Sequence, residues 1–448
     1  MRAIETIKNI WKIEDLRKRI ITTILLVLVY RAGTYVVLPG IDPQFLTQLR
    51  AQTSGGLMQL LDMFSGGAFS NASIFALGIM PYITASIVIQ LLGMALPYFQ
   101  KLQREGESGR RKLNQYTRYL TVFILLIQGP TYLVNLSVQM GGAFPTDILF
   151  TISSTIILTA GSMFIMWLGE RITDRGIGNG ISFIILVGII MIGIIARLPQ
   201  SLVQEFVMRT ATTSGGLVMF LAEIVFLLLV IAASILLVQG TRKIPVQYAK
   251  RVVGNKQYGG ARQYIPLKVN TAGVMPIIFA QAIMFIPIAL VGFSADNANS
   301  RFMQSFMSNT GFWYNFVFAV LIILFTYFYT AVTVQPNQMA EDMKRNNGFI
   351  PGVKPGKKTA AYIDSIMSRI TLPGSIFLAI VAIMPAFAQI AGISAEFSQF
   401  FGGTSLLILV GVVLDTLQQI ESHLMMRHYD GLLKSGRIKG RTGSIAAY

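Results

Sequence analysis

The sequence predicts an all-α membrane protein with ten spanning helices, and three observations carry that fold class. Of the 448 residues, 53% are apolar and only 13% are charged, the composition of a polytopic membrane chain. Ten apolar runs can be placed, at about 20–38, 74–95, 117–138, 148–169, 180–198, 216–238, 271–292, 312–334, 370–389 and 403–423. Each is close to the length that crosses roughly 30 Å of hydrocarbon as a helix. Finally, the segments between the runs alternate in charge. Of the 37 Lys and Arg residues, all but Arg31, Arg50, Arg197, Arg209 and Arg301 fall in 1–19, 96–116 with Arg118, 170–179, 239–270, 335–369 and 424–448. The positive-inside rule then places both termini and every basic segment in the cytoplasm. The net charge of +17 is thus concentrated on one side of the membrane.

Residues 1–19 form a basic segment in which Ile4, Ile7 and Trp11 share one helical face, suited to lying among lipid headgroups. The stretch from Leu57 to Leu92 is too long for one span and too broken for a straight helix. An amphipathic piece, Leu57 to Phe64, runs into Ser65-Gly66-Gly67 and then Ser70-Asn71-Ala72-Ser73; Gly78 and Pro81 interrupt the apolar run beyond Ile74. Hydrocarbon tolerates unpaired backbone only where it is buried in protein or lines a watery cavity. The piece before Ile74 is therefore expected to dip into a cavity without spanning. A re-entrant loop with only a packing role fits that pattern equally well.

Farther along, Gly-Ile-Gly-Asn-Gly at 176–180 resembles a phosphate loop, but no strand precedes it and no Gly-Lys-Ser/Thr follows. A tight turn between the fourth and fifth spans is expected, with Asn179 capping the next helix. The basic segments 239–270 and 335–369 are longer than a topology signal requires. They carry apolar anchors at Ile244-Pro245-Val246, Tyr264-Ile265-Pro266 and Phe349-Ile350-Pro351, so ordered docking surfaces are expected there. Their charge suits anionic lipid or a partner such as the nucleic acid of a ribosome. Nothing resembles a base-reading module, so sequence-specific nucleic-acid binding is not expected.

Ten spans divide as five plus five, which would insert the second half in the opposite sense, although the halves share no convincing sequence similarity. The resulting division is an amphipathic segment 1–19, a first half 20–212 containing the broken piece 57–73, a second half 213–423 and a basic tail 424–448.

Residues that carry chemistry are sparse. Cysteine is absent and His423 and His428 are the only histidines, which excludes disulfides, thiolates and histidine-rich metal sites. No catalytic residue, cofactor or metal is expected. Arg31, Glu223 and Asp415 sit in spans near helix ends, where Arg31 can snorkel outward. The sequence couples no two of them, so an ion relay has little support. What remains is isoleucine. Ile83 and Ile87 lie one turn apart, as do Ile181 and Ile185, although most isoleucines in such a chain face lipid or pack against neighbours.

Seven ordered motifs add a resemblance. GGAFSNASIFALGIMPYITASIVIQLL (66–92), EGESGRRKLNQYTRY (105–119), GERITDRGIGNGIS (169–182), RKIPVQYAKR (242–251), IPLKVNTAGVMPIIFA (265–280), NNGFIPGVKPGKKTAAYI (346–363) and FGGTSLLILVGVVLD (401–415) resemble the SecY family of bacterial protein-translocase channels across essentially the whole chain. The resemblance implies two five-helix halves forming a clamshell around an hourglass pore. It implies a pore ring at Ile83, Ile87, Ile181, Ile185, Ile278 and Ile408. It implies a plug over 57–73, carried by Leu57, Leu60, Leu61, Phe64, Gly66, Gly67 and Phe69. A lateral gate between spans two/three and seven/eight would include Gln128 and Asn270, for which a plain interhelical hydrogen bond is an equal alternative. The long loops would dock the SecA motor ATPase or the ribosome through Arg242, Lys243, Lys250, Arg251, Lys354, Lys357 and Lys358. Lys354 stands where most members have Arg, keeping the charge without the planar fork.

The resemblance further implies SecE and SecG as companion subunits, unfolded preproteins as substrates, and a multi-pass location in the cytoplasmic (inner) membrane. Motor or ribosome would supply the energy, so no enzyme is expected. A secondary transporter for a small solute is the alternative from another class; polar residues converging at mid-bilayer would favour it. A structural anchor for ribosomes would leave the broken span unexplained.

Overall fold

A computed structural model describes residues 11, 13–41, 62, 65–140, 147–192, 194–211, 216–248, 251–253, 256–258, 262–292 and 310–434. A helix lies over each of the ten apolar runs. In order these are α1 (Glu14–Gly33), α2 (Met80–Ala95), a short α3 (Pro97–Arg104), α4 (Glu107–Met140), α5 (Ile148–Arg175), α6 (Gly180–Ile192), α7 (Ile194–Ala211) and α8 (Gly216–Gln239). There follow α9 (Met275–Gly292), α10 (Phe312–Thr333), a short α11 (Pro336–Arg345), α12 (Lys357–Ile390), the single turn α13 (Ala395–Ser398) and α14 (Gly403–Lys434). Among the described residues five helices, α5, α8, α10, α12 and α14, are long and apolar enough to cross a membrane by themselves. Between their ends such helices pair most of their backbone amides internally, as hydrocarbon requires.

Proline marks where helices can begin, because its fixed φ and missing N–H suit the first turn. Pro81, Pro97 and Pro336 stand at the starts of α2, α3 and α11. The run at 74–95 is accordingly helical only from Met80, and turns occupy 65–79. The expected turn at 176–180 is present. Asn179 Oδ1 accepts from the amides of Ile181 (3.1 Å) and Ser182 (3.4 Å), satisfying donors that a helix start leaves unpaired.

Two groups of helices pack together. In the first, α1 lies on α5 and α6, α2 on α4, α4 on α5, and α5 on α6. In the second, α9 lies on α10, α10 on α12, and α14 on both α8 and α12. The groups meet along two seams, α2 against α9 and α6 against α14, and α7 packs on α8 beside the second seam. One large apolar core fills the space between them. It draws on Ile83, Ile165, Ile185 and Ile189 from the first group and on Ile278, Ile322, Leu378 and Ile408 from the second.

The two long basic segments fold into one small sheet. Strand β1 (Thr241–Tyr248) pairs antiparallel with β4 (Arg262–Lys268), Ile244 opposite Ile265, and with β5 (Gly348–Phe349), Gln247 opposite Phe349. Between β1 and β4, a short hairpin joins β2 (Arg251–Val253) to β3 (Lys256–Tyr258). Side chains alternate across a strand: Ile244 and Val246 are buried while Lys243 and Pro245 are exposed. The buried face packs on Met343, Ile350, Ile363 and Met367.

Candidate functional site

Four helices bring the sequence-selected isoleucines together. Ile83 and Ile87 from α2, Ile185 from α6, Ile278 from α9 and Ile408 from α14 are buried in the same core, and Ile181 packs against it partly exposed. Each helix group supplies two of these helices. A constriction of branched aliphatic side chains dewets and blocks ions, with no buried charge required. Such side chains can also part by rotamer changes at low cost.

The segment 65–79 is folded into the protein. It shares the isoleucine core through Ala68, Phe75 and Ile79. A second core forms around Phe69, Ala72 and Ala76 with Leu38, Tyr132, Leu133 and Leu158. Gly66 and Gly67 adopt left-handed φ of 68° and 81°, a region that costs a Cβ-bearing residue steric strain. The non-helical backbone of this segment finds partners. Leu38 N donates to Ala72 O (2.9 Å), Ile74 N to Val36 O (3.0 Å) and Asn71 Nδ2 to Thr34 O (3.2 Å). The Tyr132 hydroxyl donates to Phe69 O (3.0 Å), the Tyr30 hydroxyl to Ser65 O (2.9 Å), and Arg31 Nη1 to Gly66 O (2.8 Å). Asp62 Oδ1 accepts from Ser70 N (2.8 Å).

Arg31 therefore does not simply snorkel. Its guanidinium holds the Gly66 carbonyl and lies over the Tyr35 ring, 4.7 Å from its centroid. Leu57, Leu60, Leu61 and Phe64 lie outside the described residues, so of the expected plug positions the structure places Gly66, Gly67 and Phe69.

Gln128 on α4 is half-buried. Asn270 is buried just before α9 and donates to Gly273 O at 3.0 Å, a bond within its own turn. Its Oδ1, and Oε1 of Gln281 on α9, are buried without a hydrogen-bond partner. Among the described residues no hydrogen bond or ion pair joins α2 to α9. Arg242 and Lys243 on β1, Lys354 between β5 and α12, and Lys357 and Lys358 at the start of α12 are all exposed. The Lys354 carbonyl accepts from Thr359 Oγ1 (3.0 Å), tying its turn to the start of α12. Arg251 begins β2, and Lys250 lies outside the described residues.

One cluster escaped the sequence reading. Arg209 on α7 pairs through Nε with Glu205 Oε1 (3.1 Å) and through Nη2 with Glu223 Oε1 on α8 (2.6 Å). Nη2 also donates to Gly392 O (3.0 Å), while Glu205 Oε2 accepts from Ser394 N (3.2 Å). The Glu205 and Glu223 side chains are 0% and 4% exposed. The only signal in the sequence is the four-residue spacing of Glu205 and Arg209, which places them on one helix face. Glu223, taken alone, gave no hint of its partner.

Residues 73–417 match the model of the SecY family. The chain belongs to that family. It is 42% identical to the protein translocase subunit SecY of Streptomyces galbus over 433 residues, covering 94% of this chain and 97% of the relative. Against the same subunit from Thermotoga maritima it is 41% identical over 451 residues, covering 98% and 99%. Its fold is that of solved protein-conducting channels. The TM-score is 0.63 at 17% identity to one such channel, covering 91% of this chain and 92% of that one. It is 0.60 at 16% identity, with the same coverage, to a SecY whose plug domain stabilises the closed channel. Membership of the SecY family makes this chain a multi-pass membrane channel subunit of a protein translocase, not an enzyme.

Proposed function

We propose that this chain conducts unfolded preproteins across the bacterial cytoplasmic membrane and releases apolar segments sideways into it. In this reading Ile83, Ile87, Ile181, Ile185, Ile278 and Ile408 form the ring that seals the resting pore, and 57–73 is the plug on its external side. The basic sheet and both termini face the cytoplasm. Arg242, Lys243, Lys250, Arg251, Lys354, Lys357 and Lys358 receive the SecA motor or the ribosome; a Sec61 channel of similar fold (TM-score 0.59) is seen bound to a canine ribosome. SecE and SecG are the companion subunits. The α2/α9 seam, flanked by Gln128 and Asn270, is the lateral gate. The observation that carries the reading is the convergence of the isoleucines from both helix groups in one core shared with the buried 65–79 turns.

The test is a translocation assay in vesicles holding this chain, SecE, SecA and ATP, with a radiolabelled unfolded precursor. Precursor that becomes protected from added protease, and only when this chain is present, is the expected result. No protection with the cognate motor, while a control channel works in matched vesicles, would overturn the reading and direct attention to solute counterflow.

A further inference from the structure

Beside the isoleucines, the second helix group carries polar side chains at one common level. Helices α9 and α14 run antiparallel, and contacts along them mark the register. Lys268 Nζ, before α9, donates to Gln418 Oε1 on α14 (3.2 Å). Farther along, Val274 occupies the space that a Cβ on Gly411 would need, and Ile278 and Ile408 share the core. One turn beyond, the same register brings Gln281 level with Thr404 and Ser405 at the start of α14. Thr404 and Ser405 lie on the Ile408 face, four and three residues before it. Gln281 follows Ile278 by three residues and stands about 200° around α9 from Phe279. The Phe279 ring meets Phe325 and Tyr329 of α10 edge-on, with centroids 6.2 and 5.9 Å away, so Gln281 is turned away from α10. Helix α6 is antiparallel to α14 as well, since Gly178 N before it donates to Gln419 Oε1 (2.9 Å). It reaches the same level at Gly188, and a Cβ on Gly66 would stand 3.4 Å from the Gly188 Cα. The 65–67 turn therefore lies at the level of these polar residues.

Gln281, Thr404 and Ser405 are 7%, 7% and 5% exposed, and Gln281 Oε1 is buried without a hydrogen-bond partner. Such an acceptor in an apolar core is costly and calls for a donor that arrives from elsewhere. A polypeptide crossing an apolar constriction brings one with every residue. Its amide N–H and C=O groups shed water among the isoleucines and are left unpaired there. Every sequence presents the same backbone groups, so an acceptor aimed at them serves any chain. We propose that Gln281, Thr404 and Ser405 form a binding subsite for the backbone of the transiting polypeptide, one turn past the isoleucines. Gln281 Oε1 accepts from a peptide N–H as it leaves the constriction, and the two hydroxyls donate to peptide carbonyls. The inference rests on the channel reading above and adds to it where the desolvated backbone regains polar partners.

The experiment uses the full chain with SecE, SecA and ATP in vesicles, and two radiolabelled precursors. They differ only in one block, glycine in the first and sarcosine (N-methylglycine) in the second, which has no N–H to donate. A disulfide loop in the precursor halts it ahead of the block, and reductant releases it; the channel chain itself lacks cysteine. The readout is the rate at which the block becomes protected from protease after release. Q281M keeps the side-chain length and removes the acceptor. It is expected to slow the glycine block about threefold or more and to leave the sarcosine block at the native rate. No slowing, or equal slowing of both blocks, would overturn the proposal. T404V/S405A is expected to slow both blocks, because each keeps its carbonyls; native rates would strike those two residues from the subsite. Exchanging an unpartnered polar group for an apolar one of similar shape is nearly neutral, so Q281M should unfold in detergent at the native midpoint. A lower midpoint would show that the folded protein itself holds Gln281, and would also refute the proposal. Failure of the native chain to move the glycine precursor would count against the channel reading instead.

Discussion

Replacing Tyr30 by Phe tests whether the buried 65–79 segment changes place when the channel opens. Phe keeps the ring and its stacking on Phe75, whose centroid is 6.2 Å away, and removes only the hydroxyl that donates to Ser65 O at 2.9 Å. Tyr30 and Ser65 are both buried, so the carbonyl keeps only its longer bond from Ala68 N (3.4 Å) and gains no water. Losing one of its two hydrogen bonds costs about 0.5–1.5 kcal/mol. If the segment moves out on opening, the carbonyl is hydrated in the open state, and the cost falls on the closed state alone. A shift of about 1 kcal/mol changes a population ratio about 5-fold. Single-channel recording across a planar bilayer should therefore show the resting open fraction of Y30F raised by that factor. R31Q, which weakens the neighbouring bond to Gly66 O, should act in the same direction. An unchanged open fraction in folded Y30F protein would refute the reasoning, because Ser65 would then be held alike in both states.

Further outcomes follow from the same geometry. An amide placed in the isoleucine core by I185N should raise resting ion conductance, because a polar side chain lets the constriction wet; unchanged conductance would remove Ile185 from the seal. A Cβ at Gly161 would collide with the Ile74 carbonyl oxygen, so G161A should destabilise the protein by about 1–3 kcal/mol, read as a lower unfolding midpoint in detergent. K354A should leave that midpoint unchanged, because the side chain is exposed, yet slow SecA-driven translocation several-fold; K354R should equal or exceed the native chain. By contrast, R118A removes a partly exposed ion pair with Glu170 (2.7 Å) and should cost under about 1 kcal/mol by the same melt.

The sequence announced most of what depends on local pattern. Apolar length located a helix over each of the ten runs, five of them able to cross a membrane alone, Asn179 announced its cap, and Gly78 with Pro81 marked the break inside the 74–95 run. What it withheld depends on contacts between distant segments. The alternation of Ile244 and Val246 with Lys243 and Pro245 fits a strand, which the all-α expectation did not include. The pairing of β5 to β1 nonetheless joins residues about a hundred positions apart, and no local rule predicts that. Arg31 looked free to reach outward because its acceptor is a backbone carbonyl, which no side-chain pattern reveals. Glu223 looked isolated because Arg209 reaches it from another helix across the 212–215 connection. The grouping of the isoleucines became specific through the resemblance, since helical spacing alone does not say which apolar face meets which.

The pairing of β5 with β1 has a mechanical consequence. Strand β1 follows α8 directly, β4 leads into α9, and β5 lies between α11 and α12. The small sheet is thus a rigid crossbar bolted to three helices of one group and to none of the other. A partner pressing on it cannot move one of those helices by itself. It delivers torque to the whole group, while a second foothold on the basic 96–116 turn would grip the opposite group. A body that touches both grips the two groups at once without reaching into the membrane.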